Sequence, residues 1–397
     1  MSQSTDQSWV PEPSQETCCP LCESSEGIEL GQTGRHNIPV RNISCVTCGT
    51  VYVTPRPSPE QMTEFYRSHY RSKHLISMRL DDGTLARPHT PEYEMAIEQR
   101  GQNQGKMAMH IGETKDGDRV LDVGCRRGLA LRTMKQTVDI EAVGIDPGEE
   151  EADVATQHGI EMHVGMLETF DPGGKLFDQI QMFHVLEHVH DPLDCLIRLR
   201  SMLKPTGRLV IDVPDMMKPY GGLEWFFQYP HLYSFSRNTL MGLFRRAGLE
   251  PVRGSFAGTV MLVGHPIVDA GPLPLPFESH MLQQPDHNGV WVANRLLTYN
   301  GLEKIRDMVK KGRPVPVDLV SRLVRRPSLP IREKSGMSHT CEVLLELIDT
   351  LVERRQFSEV CDVLEAATHG PHDPQFIAQW HQALSQIKAS ILQLQAG

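Results

Sequence analysis

The sequence has no excess of basic residues: 40 Lys and Arg stand against 50 Asp and Glu, for a net charge of −10. Nothing in that balance points to nucleic acid as a partner. No apolar run reaches the ~18 residues of a membrane-crossing helix, so no membrane partner is expected. The opening stretch, MSQSTDQSWVPEPSQET, lacks the basic start and apolar segment of a secretory signal. A disulfide framework is missing too. Of nine cysteines, five crowd into positions 18–48 and four are scattered singly, which suits a metal site plus buried thiols in a cytoplasmic protein.

What the chain does have is length for two or three domains and several sharp motifs. Residues 1–17 read as a disordered leader. Next come Cys19-Pro-Leu-Cys22 and, after a spacer, Cys45-Val-Thr-Cys48-Gly49. Each CxxC knuckle lets two thiolates converge on one ion, and two knuckles complete a closed tetrahedral shell. A structural zinc ribbon over 18–54 is the expectation, with a short hairpin in the spacer and Cys18 as a bystander. Residues 55–118 read as linking helices and a lid, with Ser58 capping a helix at Pro59.

The centre of the chain is Arg119 to Pro147, RVLDVGCRRGLALRTMKQTVDIEAVGIDP. An apolar run to Val123, a glycine turn (Gly124 to Gly128), a helix-length segment and a second apolar run ending on Asp146 form a βαβ pattern. Glycines admit a ligand where a Cβ would clash, and a carboxylate at the second strand end can accept both ribose hydroxyls. The alternation continues through strands at 160–164, 177–183 and 208–213, with a later strand at 259–263. Repeated β-α units predict a sheet covered on both faces, with ligands at the carboxyl ends of its strands.

Asp122-Val-Gly124-Cys-Arg-Arg-Gly128, Gly144-Ile-Asp146-Pro147 and His184-Val-Leu-Glu187-His188-Val-x-Asp191-Pro192 resemble the class I S-adenosylmethionine-dependent methyltransferases. The leading CPLC…CVTCG with VTPRPSPEQMTEFYRSHY resembles the zinc-ribbon extension on one branch of that family. The resemblance implies an α/β fold, a Rossmann-like doubly wound sheet over 119–268 behind a small N-terminal zinc ribbon, and hydrophobic periodicity adds an α-helical C-terminal module. The resemblance also implies S-adenosyl-L-methionine as cofactor beside a structural zinc. Asp122, Gly124, Cys125 and Gly128 would hold the methionine end, Asp146 the ribose, and Met166 and Leu167 the adenine. One departure stands out: Arg126 replaces the family's usual middle glycine, and its side chain has to project away from the pocket or meet an anionic substrate.

His184, His188 and His231 are the candidate general bases, His184 first by its place at a strand end, with a purely structural role equally open for His184. Glu187 and His188 read as the start of a helix. The aromatic insertion DMMKPYGGLEWFFQYPHLYSFSR at 215–237 offers Trp225 and Tyr233 as substrate contacts for a small-molecule or sugar-type acceptor. Residues 269–338 read as a proline-rich linker with helices and 339–397 as a helical module that docks, dimerises or binds a protein partner. The alternative to an enzyme is a catalytically idle cofactor-binding scaffold that works through those helices.

Overall fold

The computed structural model describes residues 16–65, 78–79, 85–86, 90–219, 222–255, 259–267 and 289–311. The expected leader and most of the expected C-terminal helices lie outside the described residues. The chain divides into two compact units, Met1–Lys218 with Phe227–Gly289, and Pro219–Phe226 with Val290–Gly397.

The first unit opens with β1 (Gly27–Thr33), β2 (Pro39–Cys45), β3 (Val51–Val53) and helix α1 (Pro59–Glu64). A two-stranded pair, β4 (Met78–Arg79) and β5 (Leu85–Ala86), precedes the long helix α2 (Pro91–Gly112). The alternation follows as β6 (Arg119–Val123), α3 (Leu129–Lys135), β7 (Glu141–Asp146), α4 (Glu149–Thr156), β8 (Glu161–Val164), β9 (Phe177–Phe183), α5 (Pro192–Ser201) and β10 (Leu203–Pro214). After α6 (Leu223–Phe226) come β11 (Tyr233–Ser234), α7 (Arg237–Arg246), β12 (Leu249–Ser255), β13 (Thr259–Pro266) and α8 (Gly289–Lys310).

Seven strands form one sheet in the order β12-β13-β10-β9-β6-β7-β8. The five from β6 to β10 run parallel, while β13 is antiparallel to both β10 and β12. This is a Rossmann-like sheet, and the order reverses direction between β6 and β9. Its central strands are near-continuous apolar runs because both faces are covered. Val120, Leu121, Ile180, Leu209, Val210 and Ile211 are each fully buried. Helix α3 approaches α2 closely because Gly105 carries no side chain; a Cβ there would sit 2.6 Å from the Ala130 carbonyl. Local signals set the helix starts. Ser58 forms a capping box with Gln61, and Asp191 accepts the Asp194 N–H at 2.9 Å.

Two features depart from expectation. Strand β10 begins at Leu203 rather than Arg208: Leu203 already pairs with Phe177, and a register shift absorbs the intervening turn residues. Strand β12, LEPVRGS, has too little alternation to be legible in the sequence, and its partner β13 brings it into the sheet.

A second sheet has the order β1-β2-β3-β11. Its first three strands surround the cysteine knuckles, but the fourth comes from far downstream. Arg246, at the end of α7, is only 4% exposed and donates through Nη1 to the Leu21 carbonyl inside the first knuckle. In the second unit, the Leu223 N–H donates to Asn300 Oδ1 at 2.8 Å and the Tyr299 hydroxyl to the Pro219 carbonyl at 2.8 Å. No helix among the described residues is long and apolar enough to cross a membrane.

Arg246→Met keeps the stem of the side chain but leaves the Leu21 carbonyl without its charged donor. It should destabilise the protein by about 2 kcal/mol in urea unfolding. Hydrogen exchange should speed up first in residues 19–24.

Candidate functional site

The four knuckle cysteines come together as the spacing requires. Cys19 and Cys48 sulfurs are 3.5 Å apart and those of Cys22 and Cys45 3.4 Å, far beyond a disulfide bond. Four sulfurs around one zinc at ~2.3 Å would be about 3.8 Å apart, so a small expansion makes the shell. All four are buried, whereas Cys18 is exposed. The residues fit a closed tetrahedral ion with no position left for a substrate.

The second cluster lines the carboxyl ends of β6, β7, β9 and β10. Asp122 on β6 is 2% exposed; Gln181 donates to its Oδ2 at 3.2 Å, and its Oδ1 has no hydrogen-bond partner. A chain of buried polar groups stands behind it, running from Thr114 through Gln179 to Gln181. Burial pushes the Asp122 carboxyl up to about 7, against the Gln181 amide. An orphaned buried carboxylate oxygen is an acceptor waiting for a cation such as an α-ammonium.

Asp146 ends β7 and accepts two backbone N–H groups, Gly148 on Oδ1 at 2.9 Å and Arg126 on Oδ2 at 2.8 Å. Burial raises its pKa, and those two donors oppose the rise. Each oxygen keeps a lone pair for a ribose hydroxyl. The Gly124–Gly128 turn crosses the end of β7: the Gly124 and Cys125 N–H groups both donate to the Ile145 carbonyl, at 2.8 and 3.2 Å. Gly124 and Gly128 take φ values of 74° and 66°, and Arg126 takes 50°. The Arg126 side chain is exposed. The residue that broke the family pattern therefore serves the pocket through its backbone. Cys125 is buried, which holds its thiol well above the usual range and makes it a packing group. The Gly165 N–H donates to the Asp146 carbonyl at 3.0 Å, so the Met166–Leu167 turn is tied to the same strand end; Leu167 is buried and Met166 is 57% exposed.

His184 follows β9 with φ 55°, a strained conformation for a non-glycine residue. Its Nδ1 lies 3.6 Å from Glu187 Oε1 and its Nε2 3.4 Å from Asp212 Oδ2. Burial and Arg100 push its pKa down, but the two carboxylates outweigh them and hold it above the ordinary value. Glu187 is 1% exposed and neither of its oxygens has a hydrogen-bond partner. Burial alone would raise it; the surrounding imidazoles of His184, His188 and His231 hold it at about 2. His188 Nδ1 donates to the Pro230 carbonyl at 2.9 Å, leaving Nε2 3.9 Å from Glu187 Oε1. His188 and His231 meet edge to face with ring centroids 4.8 Å apart. Glu187, His188 and His231 thus bring donor atoms within 4.8 Å of one another. Burial first, then the neighbouring His188, drives the His231 pKa well below its ordinary value.

The structure places Asp122, Gly124, Asp146 and His184 at the carboxyl ends of the parallel strands of the first unit, and His231, in the loop before β11, meets this region through His188 and Glu187. Tyr233 is in that unit but its hydroxyl is committed to the His190 carbonyl at 2.7 Å, and its ring lies under Arg56. Trp225 belongs to the second unit, 42% exposed. Glu187 and His188 lie in a single 3-10 turn rather than opening a helix, which starts at Pro192. Sequence reasoning missed Asp212, 3% exposed with Oδ1 unpartnered. Its signal was a carboxylate inside the apolar run RLVIDV.

A family model described as a methyltransferase domain matches residues 98–253. A ubiquinone biosynthesis O-methyltransferase of Cereibacter sphaeroides is 30% identical over 154 residues, 34% of this chain and 62% of the relative. Its counterpart in Ruegeria pomeroyi is 33% identical over 153 residues, 34% of this chain and 61% of the relative. The chain therefore spans less than two thirds of these relatives. Among solved structures, a 1,6-didemethyltoxoflavin-N1-methyltransferase of Burkholderia thailandensis is similar at 20% identity and a TM-score of 0.40, covering 55% of this chain and 95% of that one.

A carboxylic acid whose folded-state pKa is raised destabilises the fold once it ionises. At pH 8 Asp122 is ionised and its buried charge opposes folding. Asp122→Asn should therefore melt a few degrees higher than the parent at pH 8, while binding S-adenosylmethionine roughly tenfold or more weakly by calorimetry.

Proposed function

We propose that the class I methyltransferase domain of this chain transfers the methyl group of S-adenosylmethionine to a small-molecule acceptor whose receiving atom must lose a proton. The observation that carries this reading is the pair of strand-end carboxylates: Asp122 with one oxygen left unpartnered and Asp146 with both oxygens already oriented by backbone donors. When bound, the cofactor supplies an electrophilic methyl on a positively charged sulfur. Asp122 accepts its ammonium, Asp146 its ribose hydroxyls, and Leu167 packs against its adenine. The four buried cysteines hold a structural zinc away from the chemistry.

The two candidate histidines divide the work. His184 stands between two carboxylates, which favours the imidazolium and occupies both ring nitrogens. His231 is buried and neutral, so at neutral pH it can take a proton. His231 is therefore the general base. As the acceptor takes the methyl group, its proton passes to a ring nitrogen of His231. Glu187, ionised and buried, stabilises the charge that His231 then carries. His184 holds the Glu187 carboxylate in place. Phenols, enols and sugar hydroxyls are the acceptor classes that need such a base. The idle-scaffold alternative draws on Arg126 and on the C-terminal helical module; the Arg126 N–H serves Asp146 and its side chain is exposed, so that residue gives it no support, and most of the module lies outside the described residues.

Transfer of labelled methyl into fractionated pools of small phenols, sugars and sugar nucleotides tests the reading. Label should enter one pool, and His231→Asn should slow transfer about 100-fold with S-adenosylmethionine affinity unchanged. Full transfer by His231→Asn would remove His231 as the base.

A further inference from the structure

We propose that the N-terminal cysteine ribbon is the positioning element for His231: its strand β3 captures the loop that carries this residue as a fourth strand. The ribbon thereby forms one wall of the catalytic centre. This rests on the reading of His231 as the base, although the geometry below does not.

The loop from Phe227 to Phe235 has little regular structure of its own, and residues before position 66 supply a series of anchors along it. The Arg35 N–H donates to the Phe227 carbonyl at 2.8 Å. The approach is so close that a Cβ on Gly34 would lie 2.8 Å from that same oxygen. Phe65 at the end of α1 meets the Tyr229 ring edge to face at 5.0 Å. The Val53 N–H donates to the Leu232 carbonyl at 3.0 Å, one residue past His231. Tyr233 and Ser234 then pair antiparallel with Tyr52 and Val51. On the other side the methyltransferase sheet contributes the His188 contact to Pro230 and the Met216 N–H to Phe235, at 2.9 and 3.0 Å. His231 is thus clamped between a ribbon strand and the His188–Glu187 turn.

The metal knuckle sits directly behind this clamp. Cys45 ends β2, Cys48 lies three residues before β3, and the Cys45 N–H donates to the Thr50 carbonyl at 2.9 Å. A change at the cysteines is therefore passed straight to the register of β3. The capture is mutual, since β11 covers the edge that a three-stranded ribbon would leave open. The ribbon also brings charge. Arg35 is 2% exposed, in a loop where the next two residues, His36 and Asn37, take φ values of 62° and 59°. With His184, His188 and Glu187, it is one of the charged or titratable groups that act on His231. Backbone held in the left-handed region at two successive side-chain-bearing residues persists only where surrounding contacts enforce it.

The test uses the full chain and two substitutions at one position. Val53→Pro removes the N–H that holds Leu232; Val53→Ala trims the side chain but keeps it. Two quantities are read: the rate of His231 carbethoxylation by diethyl pyrocarbonate, followed by peptide mass spectrometry, and the calorimetric affinity for S-adenosylhomocysteine. Val53→Pro should expose the buried ring and speed its modification about tenfold, with affinity within about threefold of the parent. Val53→Ala should match the parent in both. An unchanged modification rate in Val53→Pro would overturn the proposal, as would loss of product affinity alongside faster modification, because the ribbon would then support the whole domain rather than one residue. Should Val53→Pro not fold, Ser234→Pro attacks the same pairing from the other strand and is judged by the same two readouts. The carbethoxylation rate reports where the ring is, not what it does, so an active His231→Asn would sink the base and leave this positioning intact.

Discussion

Three buried carboxylates along one edge of the parallel sheet set the terms for everything else in the first unit. Asp122 and Asp212 each keep one oxygen without a hydrogen-bond partner, and Glu187 keeps two. Burying such groups costs several kcal/mol each unless something compensates. The fold accepts that cost at the carboxyl ends of β6, β9 and β10, where the strand order reverses and a crevice opens. Preorganised acceptors that the protein cannot itself satisfy are what a cationic cofactor and a proton-transferring acceptor require. The compensations visible in the fold are partial and directional: Gln181 for one oxygen of Asp122, and imidazoles around Glu187.

The same edge explains why two histidines four dozen residues apart behave differently. His184 is half-buried and His231 buried, and burial disfavours the imidazolium of each. His184 escapes because a carboxylate faces each ring nitrogen. His231 has Glu187 on one side but also His188 and Arg35, which add positive potential, so burial wins. The division of roles depends on these neighbours and not on histidine chemistry alone, and two of the decisive ones, Asp212 and Arg35, come from elements remote in sequence.

That remoteness marks the boundary of what could be read from the residues. Legible features were those whose signal is local. The Val120–Val123 and Phe177–Phe183 runs, the glycine turn, Asp146 and the knuckle spacing all carry their meaning within about ten residues, and each is where the pattern placed it. Illegible features arose from pairing across the chain. Nothing in Tyr233-Ser234 announces a strand, because two residues have no period; β3 makes them one. Asp212 lies inside the apolar run RLVIDV, and only the pairing with β9 brings it against His184. Arg126 was legible as a departure but not as its resolution, since a backbone N–H leaves no trace in a sequence motif.

The ribbon is where local and long-range information meet, and this alters how the cysteine motif should be understood. Read alone, two CxxC knuckles describe a self-contained metal module that could be removed without consequence for the chemistry. Its sheet, however, is incomplete without β11, and the loop carrying His231 loses its strand pairing without β3. Arg246 adds a third tie, a buried guanidinium from the methyltransferase helix α7 donating into the first knuckle. A module joined by one edge strand, one loop and one buried cation to its neighbour does not fold as an appendage; its stability and the placement of His231 are linked quantities. By reciprocity, a ligand that binds only the ordered His231 loop must stabilise the ribbon by the same free energy by which an intact ribbon tightens that ligand's binding.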